Sequence, residues 1–254
     1  MSIALRKPEE IEKLFVANQA VAKTLKYLEE NVKAGMSLKE VDAMGEKFIL
    51  SLGARPAFKG LYGFPNAVCT SLNEVIIHGI PSDTVLKESD ILGLDIGTEV
   101  DGWYGDSAIT MPIGDISKKD EELIACSKDA LYYAIDIIED GMRFKELSKA
   151  IEDFITSRGY QPLVRFCGHG IGRKPHEEPE IPNYLEHGGT KSGPKIKNGM
   201  VFCIEPMICQ KDRNPVILKN GWDVVSADGL RGSHYEHTVA VVNGRAVILS
   251  NREN

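Results

Sequence analysis

Two hydrophobic rhythms alternate along this chain, and each occurs twice. From Pro8, the residues Ile11, Leu14, Phe15, Val21, Leu25 and Leu28 recur at the spacing of one helix face. Proline suits the first helical position, where its missing N–H has no intrahelical partner. The pattern returns from Lys118 to Ile138 with Leu123, Ile124, Leu131, Ile135 and Ile138. A shorter helix follows each long one, marked by Leu38, Val41, Phe48, Ile49 and Leu52, and then by Phe144, Leu147, Ile151, Phe154 and Ile155. Ser37 with Glu40 is a capping box at the first of these. Apolar runs at Ala67–Ser71, Val75–His78, Ile91–Gly97, Trp103–Met111, Met200–Ile208, His234–Val242 and Arg245–Leu249 predict strands. Asp101-Gly102 marks the tip of a hairpin.

The second set of helices is a copy of the first. Ala34–Pro56 and Asp140–Pro162 align without gaps, 106 residues apart, with identical pairs Gly35/Gly141, Met36/Met142, Glu40/Glu146, Phe48/Phe154, Ile49/Ile155, Gly53/Gly159 and Pro56/Pro162. Identity concentrated on the same punctuation predicts an internal duplication. The expected architecture is α+β: two pseudo-symmetric halves, about 1–113 and 114–254, forming one domain. Helices would lie outside a single curved, mixed sheet.

Composition narrows the class. The chain of 254 residues is 43% hydrophobic and 26% charged, with a net charge of -7, so it can bury a sizeable core. It lacks the basic excess expected for broad nucleic-acid or anionic-membrane binding; no DNA partner is expected. Five cysteines without C-x-x-C fit reduced thiols better than a disulfide framework. No stretch approaches the roughly 20 apolar residues of a membrane span, and the charged start M-S-I-A-L-R-K-P-E-E does not read as a secretory signal. A cytoplasmic location is expected.

The candidate chemistry lies where acids and histidines interrupt or abut the strands. His78 sits in H-G-I-P, Asp95 and Asp106 in D-I-G-T-E-V-D-G-W-Y-G-D, His169 in G-H-G-I-G and His176 in H-E-E-P. Glu205 follows in I-E-P and Glu236 in Y-E-H-T. A carboxylate in an apolar run needs a positive partner, and few cations lie near these positions. Each half carries an H-G-I followed by two acids, so a pseudo-twofold arrangement would gather four carboxylates at the central seam. One imidazole with four carboxylates suits Mn, Fe or Co better than a thiolate zinc site. Two divalent cations would balance four negative charges. G-H-G-I-G-R does not have the spacing of a phosphate loop, and neither H-E-x-x-H nor G-x-S-x-G is present. His187 and His234 read as surface or structural residues, and His237 should face away from Glu236.

The stretches N-E-V-I-I-H-G-I-P, D-G-W-Y-G-D, G-H-G-I-G-R-K-P-H-E-E-P, I-E-P-M and Y-E-H-T, in this order, resemble the type I methionine aminopeptidases over essentially the whole chain. The resemblance implies the pita-bread fold and hydrolytic removal of initiator methionine before a small second residue. It implies metal ligands at Asp95, Asp106, His169, Glu205 and Glu236, with Asp106 and Glu236 bridging two divalent ions (Fe, Mn or Co, with Zn and Ni also tolerated by the ligand set). It makes Glu205 a proton shuttle and gives His78 and His176 substrate and transition-state contacts. The free α-amine of the substrate would bind a metal. Phe58, Leu61, Phe64, Cys69, Pro175 and Trp222 match the methionine pocket, Leu61 and Pro175 departing from the aromatics expected there. The implied partners are nascent polypeptide N-termini near the ribosome, and the implied state is a monomer. Neither a zinc-finger extension nor the type II helical insertion is expected, and Met1-Ser2 itself fits the small-residue rule. The rival readings are an Xaa-Pro dipeptidase and a non-catalytic binding protein on the same fold.

Overall fold

The computed structural model describes residues 3–252; Met1-Ser2 lies outside them. Helix α1 (Pro8–Asn31) and helix α2 (Leu38–Ser51) precede the short β1 (Arg55–Pro56), β2 (Val68–Leu72), β3 (Val75–Ile77) and the long hairpin β4 (Asp90–Val100) and β5 (Trp103–Ile113). The second half begins with α3 (Lys118–Ile137) and α4 (Phe144–Ser157), then β6 (Gln161–Pro162), β7 (Cys167–Gly170) and β8 (Glu177–Pro182). It ends with β9 (Val201–Ile204), β10 (Met207–Cys209), β11 (Pro215–Ile217), β12 (Val224–Ser226), β13 (Ser233–His234), β14 (His237–Val242) and β15 (Arg245–Ile248). The duplicated segments keep their register: α2 and α4 have 14 residues each and begin at equivalent positions, as do β1 and β6.

Local chemistry explains the boundaries. Pro8 opens α1, and Ser37 caps α2 while Glu40 returns a bond to the Ser37 N–H. Val100 pairs with Trp103 across Asp101-Gly102, both with positive φ, as a tight turn between twisted strands requires. One apolar core runs through both halves: Val21, Leu25 and Leu92 pack in the same cluster as Leu131, Ile151, Phe202 and Val239, all at 0% exposure.

Two expectations need correction. The sheet is neither single nor mixed: the described strands form four hydrogen-bonded sheets, and every pairing among them is antiparallel. The runs Met200–Ile208 and His234–Val242 are also each broken, at 205–206 and 235–236. These breaks face one another. His237 pairs with Ile204 on one side and His234 with Met207 on the other. Pro206 has no N–H to give a ladder, so the chain passes from one sheet to the next at that point.

The halves meet along β5 and the β13–β14 stretch, where side-chain hydroxyls replace most of a backbone ladder. Ser107 Oγ donates to the Glu236 carbonyl (2.5 Å), Thr238 Oγ1 to the Asp106 carbonyl (2.8 Å) and Thr110 Oγ1 to the His234 carbonyl (3.0 Å). The Glu236 N–H donates to the Ala108 carbonyl at 2.9 Å. Glu236 is thereby fixed against the strand that carries Asp106.

Candidate metal centre

Strand alternation puts the first two acids on one face. Asp95 on β4 lies opposite Ala108 on β5, and Gly97 opposite Asp106, so the two carboxylates are diagonal neighbours. Leu92, Leu94 and Ile96 point the other way, into the core. Helix α1 lies directly on β5 at Gly105, where an added Cβ would sit 2.7 Å from the backbone of Ala17 and Asn18. From there Asn18 Oδ1 accepts the Asp106 N–H at 3.2 Å. The glycine in W-Y-G-D thus lets the helix hold the acid's backbone.

The second half supplies His169, Glu205 and Glu236. His169 is on β7, between glycines pressed against neighbouring backbone; an added Cβ at Gly168 would lie 2.4 Å from the Cys203 carbonyl oxygen and one at Gly170 2.1 Å from that of Glu178. His169 Nδ1 and the Gly170 carbonyl are 3.1 Å apart, which assigns the ring proton to Nδ1 and leaves Nε2 as a ligand atom. That Nε2 is 3.6 Å from Glu205 Oε1 and 3.9 Å from Asp106 Oδ2. Glu205 and Glu236 sit at the two facing strand breaks, and the Glu205 carbonyl accepts from Asn183 Nδ2 at 2.9 Å.

The electrostatics are those of a site built for cations. Burial pushes the Asp95 carboxyl up to about 7. Burial, with the charge of neighbouring acids, raises Asp106, Glu205 and Glu236 well above the carboxylate range. Burial pushes His169 down to about 3 and His78 to about 4, so both rings are neutral near pH 7. Asp95 Oδ1, Asp106 Oδ1 and Glu236 Oε1 are buried without a hydrogen-bond partner. Among the described residues, the only ion-pair partners within 4 Å of these acids are histidines. A neutral imidazole and several unpaired buried carboxylate oxygens fit hard divalent cations.

Above the acids is a cavity of about 740 Å³, lined by Phe58, Leu61, Phe64, Cys69, His78, His176 and Trp222 together with Asp95, Asp106, His169, Glu205 and Glu236. Phe64 meets Trp222 edge-on, and Cys69 lies opposite Asp95 in the sheet. His78, at φ 61 just after β3, is edge-on to Phe166 and Trp222. His176 stands at the mouth, its ring perpendicular to His169 with centroids 4.4 Å apart. Pro175 is not among the lining residues, since it is His176 that the turn presents inward. His237 turns away onto Ser250 (2.8 Å) and Tyr132 (3.2 Å), and His187 lies on an exposed loop.

Two residues at the site escaped sequence reading. His234 is buried, not on the surface, and its unpartnered Nε2 lies 3.6 Å from Glu205 Oε2. Cys203 offers its sulfur within 4.8 Å of donor atoms from Asp106, His169 and Glu236. Burial raises its thiol well above the usual range, and it contacts Thr238 Oγ1 at 3.3 Å; it is a neutral floor beneath the carboxylates. Alternation counted back from Glu205 points to Cys203. The His234 contact depends on the strand breaks and has no local signal.

Comparison with known proteins gives a consistent picture. Residues 12–243 match the model of metallopeptidase family M24. A methionine aminopeptidase of Helicobacter pylori is 62% identical over 99% of this chain and 100% of its own. The crystal structure of a methionine aminopeptidase from Thermotoga maritima superposes with a TM-score of 0.95 at 35% identity, covering 98% of this chain and 100% of that one. A prolidase from Pyrococcus furiosus superposes less closely, with a TM-score of 0.80 at 25% identity, covering 98% of this chain but 66% of its own.

Proposed function

The chain belongs to metallopeptidase family M24 and to the methionine aminopeptidases within it, and from that premise we propose how its site works. Asp95, Asp106, His169, Glu205 and Glu236 would hold two divalent metal ions, Asp106 and Glu236 serving both; Fe, Mn or Co would suit this donor set best. The substrates are nascent polypeptide N-termini whose second residue is small, met in the cytoplasm near the ribosome by a monomer. The whole chain is one catalytic unit, because each side of residue 113 supplies two of the four acids. The observation that carries the reading is the convergence of buried, unpaired carboxylates from both halves on the floor of an apolar cavity.

Bound divalent ions supply a Lewis acid for the scissile carbonyl and a water acidic enough to attack near neutral pH. The side chains do the rest. Phe58, Leu61, Phe64, Cys69 and Trp222 hold the methionine side chain by apolar burial. The acid-lined floor accommodates a free α-amine and excludes an acylated one. Glu205 takes a proton from the attacking water and returns it to the departing amine. His176 donates a ring N–H to the carbonyl oxygen as negative charge develops. His78, neutral because burial pushes it down to about 4, meets the amide nitrogen beyond the scissile bond.

A peptide series tests this. Met-Ala-Ser should be cleaved, and Met-Lys-Ser, formyl-Met-Ala-Ser and Ala-Pro should resist, with activity lost on chelation and restored by manganese. Equal cleavage of Met-Ala-Ser and Met-Lys-Ser would defeat the small-residue rule. Hydrolysis of Ala-Pro in preference would favour the dipeptidase reading.

A further inference from the structure

Tyr62 is out of place for an ordinary surface residue. It is 76% exposed and adopts φ 51, ψ 16, a left-handed conformation that residues other than glycine rarely take. The turn around it is fixed by backbone bonds: Leu61 N–H to Phe58 carbonyl (2.9 Å), Phe64 N–H to Leu61 carbonyl (2.9 Å) and Gly60 N–H to Phe64 carbonyl (2.8 Å). Held so, the Tyr62 ring lies parallel to that of His176, 5° between planes and 5.7 Å between centroids. Its hydroxyl is 3.4 Å from His176 Nδ1. Tyr62 comes from the first half and His176 from the second, so this contact spans the cavity mouth. Both residues line the cavity.

We propose that Tyr62 is a positioning residue that fixes the tautomer and orientation of His176 from across the mouth. A neutral imidazole has one N–H and one lone pair, and the partner of one nitrogen decides the state of the other. If the Tyr62 O–H donates to Nδ1, the ring proton resides on Nε2. Nε2–H is then the ring's remaining donor, the form His176 needs in order to donate to a carbonyl oxygen. The opposite tautomer would offer Tyr62 the proton and leave Nε2 with a lone pair, which repels a developing oxyanion. The inference deepens the reading of His176 given above and rests on it for its catalytic consequence, though not for the hydrogen bond itself.

The test uses Tyr62→Phe, which keeps the ring and removes the hydroxyl. In zinc-loaded protein carrying 15N-histidine, the His176 ring should show the Nε2–H tautomer, and Tyr62→Phe should shift it towards a mixture. With Met-Ala-Ser, kcat should fall about 3- to 10-fold, the range a single neutral hydrogen bond supports, with KM and metal content little changed. The same substitution in a His176→Ala background should cause no further fall. An unaltered tautomer in Tyr62→Phe, or a kcat loss that persists without His176, would overturn the proposal. Full turnover in His176→Ala alone would instead overturn the reading of His176, and the tautomer signal would then decide the Tyr62 link by itself.

Discussion

Stripping the metal should make this protein lose stability as pH rises from about 7.5 to 8.5. In the metal-free fold, burial holds Asp95 at about 7 and, with mutual charge, holds Asp106, Glu205 and Glu236 well above the carboxylate range. In the unfolded chain all four are ionised by about pH 5.5. Above that pH the folded state binds more protons than the unfolded one, and stability falls as pH rises. The buried histidines oppose this at lower pH. His78 is pushed down to about 4, His169 and His234 to about 3, and burial lowers His176 and His237 as well, so their contribution rises with pH and is complete about one unit above the ordinary histidine value of 6.5, near pH 7.5. Beyond it the carboxyls act alone. The raised thiols of Cys69, Cys167, Cys203 and Cys209 add to the loss only from about pH 8, where unfolded cysteines ionise. Each proton held by the folded state costs about 1.4 kcal/mol per pH unit; roughly one to two protons give a loss of about 1.5–3 kcal/mol over the interval. For a domain of this size that lowers Tm by about 3–12 °C. Thermal unfolding of chelator-treated protein across this range should show the fall, and saturating manganese should raise Tm and flatten the profile. A metal-free Tm that stays level or climbs between pH 7.5 and 8.5 would refute the reasoning.

Asp106→Asn should lose at least one metal equivalent by elemental analysis and nearly all turnover; retention of both metals would show that Asp106 does not bridge. His78→Ala should keep its metal while turnover falls on the order of a hundredfold, the usual cost of losing one transition-state contact; metal loss would make it a ligand instead. Gly97→Ala would place a Cβ 2.5 Å from Phe58 Cε1 and 3.1 Å from Ala57 Cβ, forcing Phe58 to shift within the methionine pocket. It should raise KM for Met-Ala-Ser and cost about 1–3 kcal/mol of stability, measured by steady-state kinetics and denaturant melts. An unchanged KM would place Phe58 outside the substrate's reach.

The parts of the site that were legible in the sequence are those set by local rules. Asp95 and Asp106 could be placed on one face because strand alternation and a two-residue hairpin fix their register, and the 106-residue offset of the helices announced the duplication. The strand breaks at Glu205-Pro206 and Tyr235-Glu236 were not legible. Both lie in apolar runs that read as continuous strands, and only Pro206 hinted at an interruption. What these breaks determine is non-local: His234 approaches Glu205 from another strand, and Ser107, Thr110 and Thr238 stitch the seam to partners more than 100 residues away. Tyr62 gave no signal either, because a tyrosine between glycines reads as an ordinary turn residue.

The two halves also reach around one another. The Arg6 N–H bonds the Gly199 carbonyl at 2.6 Å, and its guanidinium pairs with Glu177. In return Arg252 Nη1 reaches Ser107 Oγ at 2.7 Å, and β3 pairs with β12. Against these clasps the covalent link is slight: a short connection between β5 and α3, exposed at Gly114, Asp115 and Ser117. Peptide continuity there should be dispensable to the assembled form. A chain nicked at Asp115 should persist as a non-covalent heterodimer, and two separately expressed fragments should reconstitute one enzyme. Either fragment alone would expose the bare strand edge at which its partner normally sits, so the split protein is obligately complementary, with aggregation as the fate of a lone piece.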